Sequence, residues 1–362
     1  MLSLQPGRII AGKYRLDHEL ARGGMGVLWV AFDLTLQREV AVKFIIDTGS
    51  ARFEEASVRF EQEARAAAQI RSPHVVQTYD YGIDGGNAYM VMELLEGEDL
   101  GVRLAREGRL SATTVAKLLD QIAKGLDVVH AGGIIHRDLK PANVFLSLVG
   151  GEEMVKLIDF GVACSDERDG RSATHQDTML GTVMYMAPEQ ALGEATVDHR
   201  ADLWSLAVIV YRLLTGKHPF QGATQVDLVL SICQDPITPP SKYVGRLSPA
   251  IDGFFERAFS RAPDARFHSA QQMASSFAAA LATKRSGTLI WGTPTPRAPA
   301  PSAVPEPANA LATTMGVEAA GDADPAAVLR VRAALATRQE EADDEDETRR
   351  RVAVPLDRSC SR

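Results

Sequence analysis

The side chains best suited to carry chemistry are concentrated in the middle of the chain. Residues 136–143 read His-Arg-Asp-Leu-Lys-Pro-Ala-Asn and supply Asp138, Lys140 and Asn143, and a further carboxylate, Asp159, follows within Asp-Phe-Gly. Carboxylate and amide oxygens are the ligands that hard divalent cations prefer. The surrounding stretch, 131–189, is irregular in pattern and too long to be an idle connector in a compact domain. We therefore expect this stretch to be functional.

The elements that must position these residues fall into two parts. The first is rich in β-type runs bounded by turn residues, with strands predicted at 27–32, 39–46, 75–81 and 88–95. It contains one main helix, 53–70, which ends before Ser72-Pro73. After Gly97 the apolar residues recur at helical spacing, which predicts helices at 99–106, 111–130, 198–215, 224–234, 249–260 and 269–282. The pattern indicates an α+β protein with a small antiparallel β-rich lobe and a larger α-rich lobe.

Composition and charge exclude several classes of protein. The chain has 362 residues, 45% hydrophobic and 24% charged, an ordinary globular balance that is long enough for two cores. Three scattered cysteines form neither a disulfide framework nor a metal site, which favours a reducing, cytoplasmic compartment. The sequence contains no apolar run of roughly 18 residues, so we expect no membrane span. A net charge of −8 argues against a nucleic-acid partner.

Beyond residue 283 the character of the sequence changes. Residues 284–362 begin with Thr-Pro and Ala-Pro repeats and end in a charged segment, and the repeats lack the apolar periodicity needed to offset the entropy of ordering. We expect a Pro/Ala-rich linker and a disordered tail. A specific docking element in the tail is the alternative interpretation.

The motif at 136–143, followed by Asp-Phe-Gly at 159–161, resembles the catalytic loop and the metal-binding loop of the bacterial eukaryotic-like (Hanks-type) serine/threonine protein kinases. The resemblance implies a kinase domain over 14–283, with an N-lobe at about 14–95 and a C-lobe at about 96–283. It also implies transfer of the γ-phosphoryl group of ATP to serine or threonine hydroxyls of protein substrates. The implied cofactors are ATP and Mg²⁺, with Mn²⁺ as an alternative.

The resemblance assigns roles to the residues of these loops. Asp138 accepts the hydrogen of the substrate hydroxyl, and Lys140 reaches the γ-phosphate. Asn143 and Asp159 bind the metal ion. Lys140 at this position is typical of the serine/threonine branch of the family.

A second lysine is implied to bind the nucleotide. Lys43, in Val-Ala-Val-Lys at 40–43, is similar to the strand lysine that contacts the α- and β-phosphates. Glu63 on the following helix is expected to hold its ammonium group as an ion pair, with Glu61 as the alternative.

The segment 20–28 resembles the glycine-rich loop that covers the phosphates, where glycine allows close approach of the backbone. Its expected nucleotide-contacting residues are Leu20, Ala21, Gly23, Gly24, Gly26 and Leu28. Ala21 stands where the family has its first glycine, and Leu28 stands where it has valine. A methyl group at position 21 is tolerated if the local φ is negative, so we expect altered nucleotide affinity rather than lost activity.

Adenine recognition is implied for the strand that connects the two lobes. Met92 occupies the gatekeeper position, and the backbones of Glu93 and Leu95 are expected to pair with the adenine edge. Ala41, together with either Phe145 or Val144, is expected to pack on the ring.

Regulation and support are implied for other residues. Thr174 and Thr178 are the first candidates for autophosphorylation, with Ser172 in the same segment, and Arg137 is expected to pair with a phosphothreonine. Thr182 is expected to contact Asp138 and Lys140. The expected scaffold contacts are an ion pair of Glu189 with Arg266 and a backbone contact of Asp202 with the catalytic loop.

Two positions of the sequence bear on the substrate preference. Members of the family that prefer basic substrates often have carboxylates where this chain has Ala142 and Arg212, so we expect no strong preference for arginine before the phosphoacceptor. Besides its protein substrates, the chain could pair with a second copy for trans-autophosphorylation. Two alternative functions are a pseudokinase scaffold, which the presence of Lys43 and Asp138 argues against, and a small-molecule phosphotransferase, which would lack the segment 181–189.

Overall fold

The computed structural model describes residues 4–23, 26–45, 64–65, 67–159 and 182–283. The N-terminal lobe contains an antiparallel sheet whose spatial order is β1-β2-β3-β4-β6-β5. Its strands are β1 (Ile9–Ile10), β2 (Tyr14–Gly23), β3 (Gly26–Asp33), β4 (Arg38–Ile45), β5 (Thr78–Asp84) and β6 (Asn87–Met92). The predicted strands at 27–32, 39–46 and 88–95 correspond to β3, β4 and β6, while β5 begins three residues later than predicted.

The hairpin turns of this sheet follow from local chemistry. The Asp33 carboxylate accepts hydrogen bonds from the backbone of Thr35 and Leu36, which fixes the turn between β3 and β4. The turn between β5 and β6 uses Gly85 and Gly86, both with positive φ. One face of the sheet buries apolar side chains, including Leu16, Trp29, Val40, Phe44 and Val91.

The sheet is curled rather than flat. Although β1 and β5 stand at opposite ends of the strand order, Arg8 lies 2.8 Å from Asp84 and the Tyr14 hydroxyl donates to Asp80 at 2.8 Å. The right-handed twist of strands brings the two edges together, and these polar contacts close the lobe.

The C-terminal lobe is mainly helical, as predicted. Its helices are α1 (Leu100–Glu107), α2 (Ala112–Ala131), α3 (Pro188–Ala191), α4 (Arg200–Thr215), α5 (Gln225–Gln234), α6 (Pro240–Tyr243), α7 (Pro249–Ala258) and α8 (Ala270–Ala282). Side chains of Asp99, Ser111, Thr224 and Ser269 cap α1, α2, α5 and α8, which explains why the predicted helix starts lie within about two residues of the observed ones. Helix α4 is buried on nearly all sides and forms the centre of the lobe.

The stretch 131–189 is not irregular throughout, and here the prediction was wrong. It contains a hairpin of β8 (Val144–Val149) and β9 (Glu152–Leu157), joined at Gly150 and Gly151, both with positive φ. With β7 (Gly97–Asp99) the hairpin forms a second sheet of order β7-β8-β9. The apolar run of β8 is short and does not alternate cleanly, so periodicity alone did not reveal it.

The two lobes meet behind this hairpin. Residue Val76 donates its backbone N–H to the carbonyl of Leu157 at 2.9 Å, and Leu157 donates to His74 at 2.9 Å. Residues 64, 65 and 67–69 are helical, whereas Ile70 is not. Residues 53–63 and 66 of the predicted helix 53–70 lie outside the described residues, as does the tail 284–362. Within the described part of the chain, no helix is long and apolar enough to cross a membrane.

Candidate active site

The loop 136–143 is held from below by Asp202 at the start of α4. The Asp202 carboxylate accepts the backbone N–H groups of His136 and Arg137, each at 2.8 Å, and lies 2.8 Å from Nε2 of His130. Arg137 has φ of 62°, which a non-glycine residue adopts only when its surroundings hold it. The buried carboxylate of Asp202 provides that support.

Four of the predicted residues converge at the end of this loop. Nζ of Lys140 lies 2.9 Å from Oδ2 of Asp138 and 3.4 Å from Oγ1 of Thr182. Nδ2 of Asn143 donates to the Asp138 carbonyl at 2.7 Å and to its Oδ2 at 3.2 Å. Asn143 belongs to a short 3₁₀ turn, Pro141–Asn143, which directs its amide back towards Asp138.

Asp159 faces the upper lobe directly after β9. Its Oδ1 lies 2.5 Å from Nζ of Lys43, which projects from β4. Loss of hydration at the Asp159 carboxyl opposes its ionisation, but the charge and the hydrogen bond of the Lys43 ammonium outweigh this and lower the pKa of Asp159. Asp159 itself has φ of 51°, so the backbone turns sharply at this residue.

The residues present fit a hard divalent cation. The nitrogen of the Asn143 amide is committed to Asp138, so its oxygen is the atom left to bind a metal ion, and Asp159 contributes an ionised carboxylate. Among the described residues no group of three or more His, Cys, Asp or Glu side chains could hold a metal by itself. Mg²⁺ is typically bound by one or two oxygen ligands of the protein, and phosphates and water fill its remaining coordination positions.

The predicted phosphate-covering loop is the hairpin of β2 and β3. Ala21 lies opposite Leu28 in the strand register, and its φ is not positive, so an alanine fits there without backbone strain. A Cβ on Gly26 would lie 2.1 Å from the carbonyl oxygen of Phe44. Glycine is therefore required at position 26 by the approach of β4, independently of any nucleotide. Leu20 is exposed at the same hairpin.

The connection between the lobes begins at the end of β6. Met92 lies opposite Ala41 of β4, and both side chains are buried. Of the two alternatives for the other face of the adenine, Val144 is fully buried in the C-lobe, whereas Phe145 is half-buried with its ring beside Gly97. This contrast favours Phe145.

Glu93 and Leu95 leave their backbone groups available at this connection. The Glu93 N–H donates to the carbonyl of Gln77 at 3.0 Å, and its carboxylate contacts Lys156 at 2.7 Å. Within the described residues, neither the Glu93 carbonyl nor the Leu95 N–H makes a backbone hydrogen bond. One acceptor and one donor thus remain at the linker, as an adenine edge requires.

The expected scaffold pair of the lower lobe is present. Arg266 and Glu189 form two parallel hydrogen bonds of 2.7 Å, and their residues are only 1% and 5% exposed. Arg266 also donates to the backbone carbonyls of Arg200, Ser260 and Arg261, so its three remaining donors are satisfied. Gln190 links the same segment to the catalytic loop by donating to the Arg137 carbonyl at 3.0 Å.

Several predicted residues lie outside the described part of the chain: Glu63 and its alternative Glu61, Gly24, Ser172, Thr174 and Thr178. Other contacts were missed from the sequence. His130, Gln77 and Lys156 contact functional residues but belong to no motif that would single them out. The sequence pattern places His130 near the end of a predicted helix and gives no indication that it contacts Asp202.

Comparison with known proteins agrees with this geometry. Residues 14–278 match the protein kinase domain family. The chain is 35% identical to serine/threonine-protein kinase PknA of Mycobacterium tuberculosis over 309 residues, covering 84% of this chain and 69% of that protein. It is 36% identical to serine/threonine-protein kinase pkn2 of Myxococcus xanthus, covering 86% of this chain but only 37% of that protein.

The fold has a counterpart among solved structures. The crystal structure of the Mycobacterium tuberculosis PknI kinase domain superposes with a TM-score of 0.60 at 27% identity, covering 77% of this chain and 100% of that chain. The expected two-lobed kinase fold is thereby confirmed. The chain belongs to the protein kinase domain family and is a bacterial Hanks-type serine/threonine-protein kinase.

Proposed function

We propose that this kinase transfers the γ-phosphoryl group of ATP to serine and threonine hydroxyls of proteins, with Mg²⁺ as the cation and Mn²⁺ as an alternative. Such a transfer depends on charge neutralisation and in-line positioning more than on covalent help from the protein. The observation that carries the proposal is the convergence on Oδ2 of Asp138, where Nζ of Lys140 lies at 2.9 Å and Nδ2 of Asn143 at 3.2 Å.

Asp138 is the proposed acceptor for the hydrogen of the substrate hydroxyl. Lys140 and Asn143 both engage Oδ2, so they fix the orientation of the carboxylate. Within the described residues Oδ1 has no hydrogen-bond partner and is available to a hydroxyl. Lys140 holds its charge between Asp138 and the Thr182 hydroxyl, where it can stabilise a negatively charged phosphoryl group.

Asn143 and Asp159 are the proposed metal ligands, and a bound metal ion neutralises phosphate charge. Lys43 supports the ionised form of Asp159, the form that binds a metal ion, through their 2.5 Å contact. Lys43 is also the proposed partner of the α- and β-phosphates, held by Glu63. The linker residues Glu93 and Leu95 are proposed to bind the adenine edge.

Activation is proposed to follow autophosphorylation at Thr174 or Thr178, with Arg137 as the partner of the phosphate. A transient homodimer would allow transfer between copies, and a cytoplasmic location would give access to protein substrates. The Arg137 backbone is held by Asp202 and Gln190, so a new charge contact at its side chain would act on an anchored loop.

The test is incubation of the purified full chain with labelled ATP and a generic protein substrate, with Mg²⁺, with Mn²⁺ and with a chelator. We expect cation-dependent labelling of serine and threonine, with phosphosites mapped by mass spectrometry. Asp138→Asn and Lys43→Met should each reduce labelling by at least about 100-fold, consistent with loss of a positioned catalytic group.

The pseudokinase scaffold is the competing interpretation. It requires that the chain bind a nucleotide without labelling itself or any substrate, and that Asp138→Asn behave as the unmodified protein does. Absence of cation-dependent labelling in a folded preparation would therefore reject the catalytic proposal.

A further inference from the structure

A small apolar groove lies in the C-terminal lobe, at the end of α4 that is remote from the catalytic loop. Leu214 stands twelve residues after Asp202 on this helix, which corresponds to roughly 18 Å of helix. The groove has a volume of about 270 Å³, and its apolar walls are formed by Leu110, Ala112, Leu214, Val244 and Leu247. Sites for small molecules usually measure roughly 300–1,000 Å³, so this groove suits one or two large side chains better.

The walls of this groove are fixed by backbone hydrogen bonds. The N–H of Leu110 donates to the carbonyl of Leu213 at 2.7 Å, which ties the segment before α2 to the last turn of α4. The N–H of Leu247 donates to the carbonyl of Val244 at 3.0 Å and closes the turn that forms the opposite wall. The groove is therefore organised in advance, which lowers the entropic cost of binding a side chain there.

The last described residues of the chain lie next to one wall of the groove. Ser248 directly follows the groove residue Leu247, and its hydroxyl donates to the carbonyl of Ala280 at 3.1 Å. Ala280 belongs to the last turn of α8, and the described part of the chain ends one residue after this helix, at Thr283. The segment that follows α8 therefore starts beside the groove.

The sequence of that segment contains an apolar element. Residues 284–292 read Lys-Arg-Ser-Gly-Thr-Leu-Ile-Trp-Gly, and Trp291 is the only aromatic residue of the tail 284–362. The six residues from 284 to 289 can span at most about 20 Å, enough to reach a groove that begins beside α8. A tether this short gives an effective concentration on the order of millimolar, so even a weak contact is populated.

A cation at the rim of the groove favours an aromatic occupant. Arg109 lines the groove, is exposed, and has no carboxylate partner among the described residues. A guanidinium is attracted to the face of an aromatic ring, most strongly to that of tryptophan. The same kind of contact occurs on the N-terminal lobe, where Arg38 lies 3.8 Å from the centre of the Tyr79 ring.

We propose that residues 289–291 dock into this groove of their own chain, with the indole of Trp291 between its apolar walls and Arg109. Of the two interpretations of the tail, this segment then follows the docking one, and the Thr-Pro repeats begin only after it. The proposal does not depend on the phosphoryl transfer proposed above, because no catalytic residue takes part in it.

The test is ¹⁹F NMR of the full chain labelled with 5-fluorotryptophan. The chain has three tryptophans, of which Trp29 and Trp204 are only 4% and 0% exposed and report the folding of the two lobes. The Trp291 resonance is assigned by its loss in Trp291→Phe. We expect this resonance to be shifted from that of a labelled peptide of residues 286–292, and to stay unchanged on about tenfold dilution, since an intramolecular contact does not depend on concentration.

A pair of variants assigns the contact to the groove. Ala112→Glu puts a longer, charged side chain at a groove wall, and its charge is favourable at the first residue of α2, so the helix should persist. We expect it to move the Trp291 resonance to the peptide position while those of Trp29 and Trp204 stay in place. Thr113→Glu is the matched control, because it adds the same charge at the next, exposed residue, which does not line the groove.

Proteolysis gives a second measurement that needs no change in the groove. Trypsin cleaves after Lys284 and Arg285, and its rate follows the population in which the segment is undocked. We expect Trp291→Ala to raise this rate by about tenfold, as for loss of a segment that is docked about nine-tenths of the time. Cleavage at an equal rate in Trp291→Ala and the unmodified chain would contradict docking.

The NMR outcomes are equally decisive. A Trp291 resonance in the unmodified chain that coincides with that of the peptide would overturn the proposal. A shifted resonance that Ala112→Glu leaves in place would put Trp291 on another surface and also overturn it. A resonance that moves to the peptide position on dilution would show docking between two copies, against the intramolecular contact proposed here.

Discussion

Lys156 of β9 donates to both carboxylate oxygens of Glu93, at 2.7 and 2.9 Å, and so joins the lower-lobe hairpin to the linker between the lobes. Glu93 also accepts the backbone N–H of Gln77 at 2.8 Å, from the segment before β5. The side chains of Lys156 and Glu93 are only 11% and 20% exposed. The Glu93 carboxylate thus ties the linker to both lobes, next to the backbone groups that are proposed to bind adenine.

Loss of Lys156 should therefore weaken nucleotide binding without removing any nucleotide contact. Lys156→Met leaves the Glu93 carboxylate partly buried and without its cation, so we expect KM for ATP to rise several-fold and kcat to change less. The free energy of unfolding should fall by about 1–3 kcal/mol. Steady-state kinetics and urea unfolding measure the two effects.

The double variant Glu93→Gln with Lys156→Met removes both charges and should recover part of the lost stability. A double variant that is no more stable than Lys156→Met would contradict this account.

The buried pair of Glu189 and Arg266 should contribute to folding more than to catalysis. Arg266→Met leaves a buried carboxylate unpaired, so we expect a loss of about 3–5 kcal/mol in the free energy of unfolding. Arg106→Gln removes an arginine from an exposed ion pair with Glu98 and should cost less than about 1 kcal/mol. Chemical denaturation of both variants gives the comparison. Equal losses would show that burial does not govern the contribution of these pairs.

The sequence led us to expect altered nucleotide affinity from the departure at Ala21, but its backbone geometry predicts little effect on nucleotide binding. Because Ala21 has no positive φ and lies in the β2–β3 ladder, replacing it with glycine relieves no backbone strain. We expect Ala21→Gly to change KM for ATP by less than about threefold, with a small loss of stability from the greater freedom of glycine. A gain of tenfold or more in ATP affinity would mean that the methyl group obstructs the phosphates.

The contact of Lys43 with Asp159 should be visible in the pH dependence of stability. The pKa of Asp159 is lower in the folded protein, because the Lys43 ammonium outweighs the opposing loss of hydration. Its stabilising contribution is therefore fully present above the unfolded value of about 3.9, and is lost as pH falls through the lowered folded value. The Asp159 side chain is 45% exposed, so screening limits the contribution to below about 1 kcal/mol.

The measurement is urea unfolding between pH 3 and 7 for the unmodified protein, Asp159→Asn and Lys43→Met. The stability difference between the unmodified protein and Asp159→Asn should be largest near neutral pH and should shrink below about pH 4. In the Lys43→Met background, Asp159→Asn should no longer give this pH-dependent difference. A difference that grows towards low pH would have the wrong sign for this ion pair.

Local sequence was sufficient for most of the secondary structure and for the motif residues. Helical periodicity and capping side chains located α1, α2, α5 and α8 because both act within one or two turns of the chain. The hairpin of β8 and β9 was missed because its strands are stabilised by pairing with each other and with β7, which lies about 45 residues away in the sequence. The side chains of residues 136–143 were recognisable because their roles depend on their spacing within one loop.

Apart from the pair of Glu189 with Arg266, which the family resemblance implied, tertiary structure alone decided which charges meet. Lys43 and Asp159 are 116 residues apart, Glu93 and Lys156 are 63 apart, and Glu189 and Arg266 are 77 apart. No periodicity links such positions, since the partner of a buried charge depends on which elements pack together and on the desolvation that packing imposes. For the same reason, the sequence identified Arg212 only as a position that lacks a carboxylate. The packing of α4 against Tyr185 shows that this arginine is half-buried and has no carboxylate partner among the described residues.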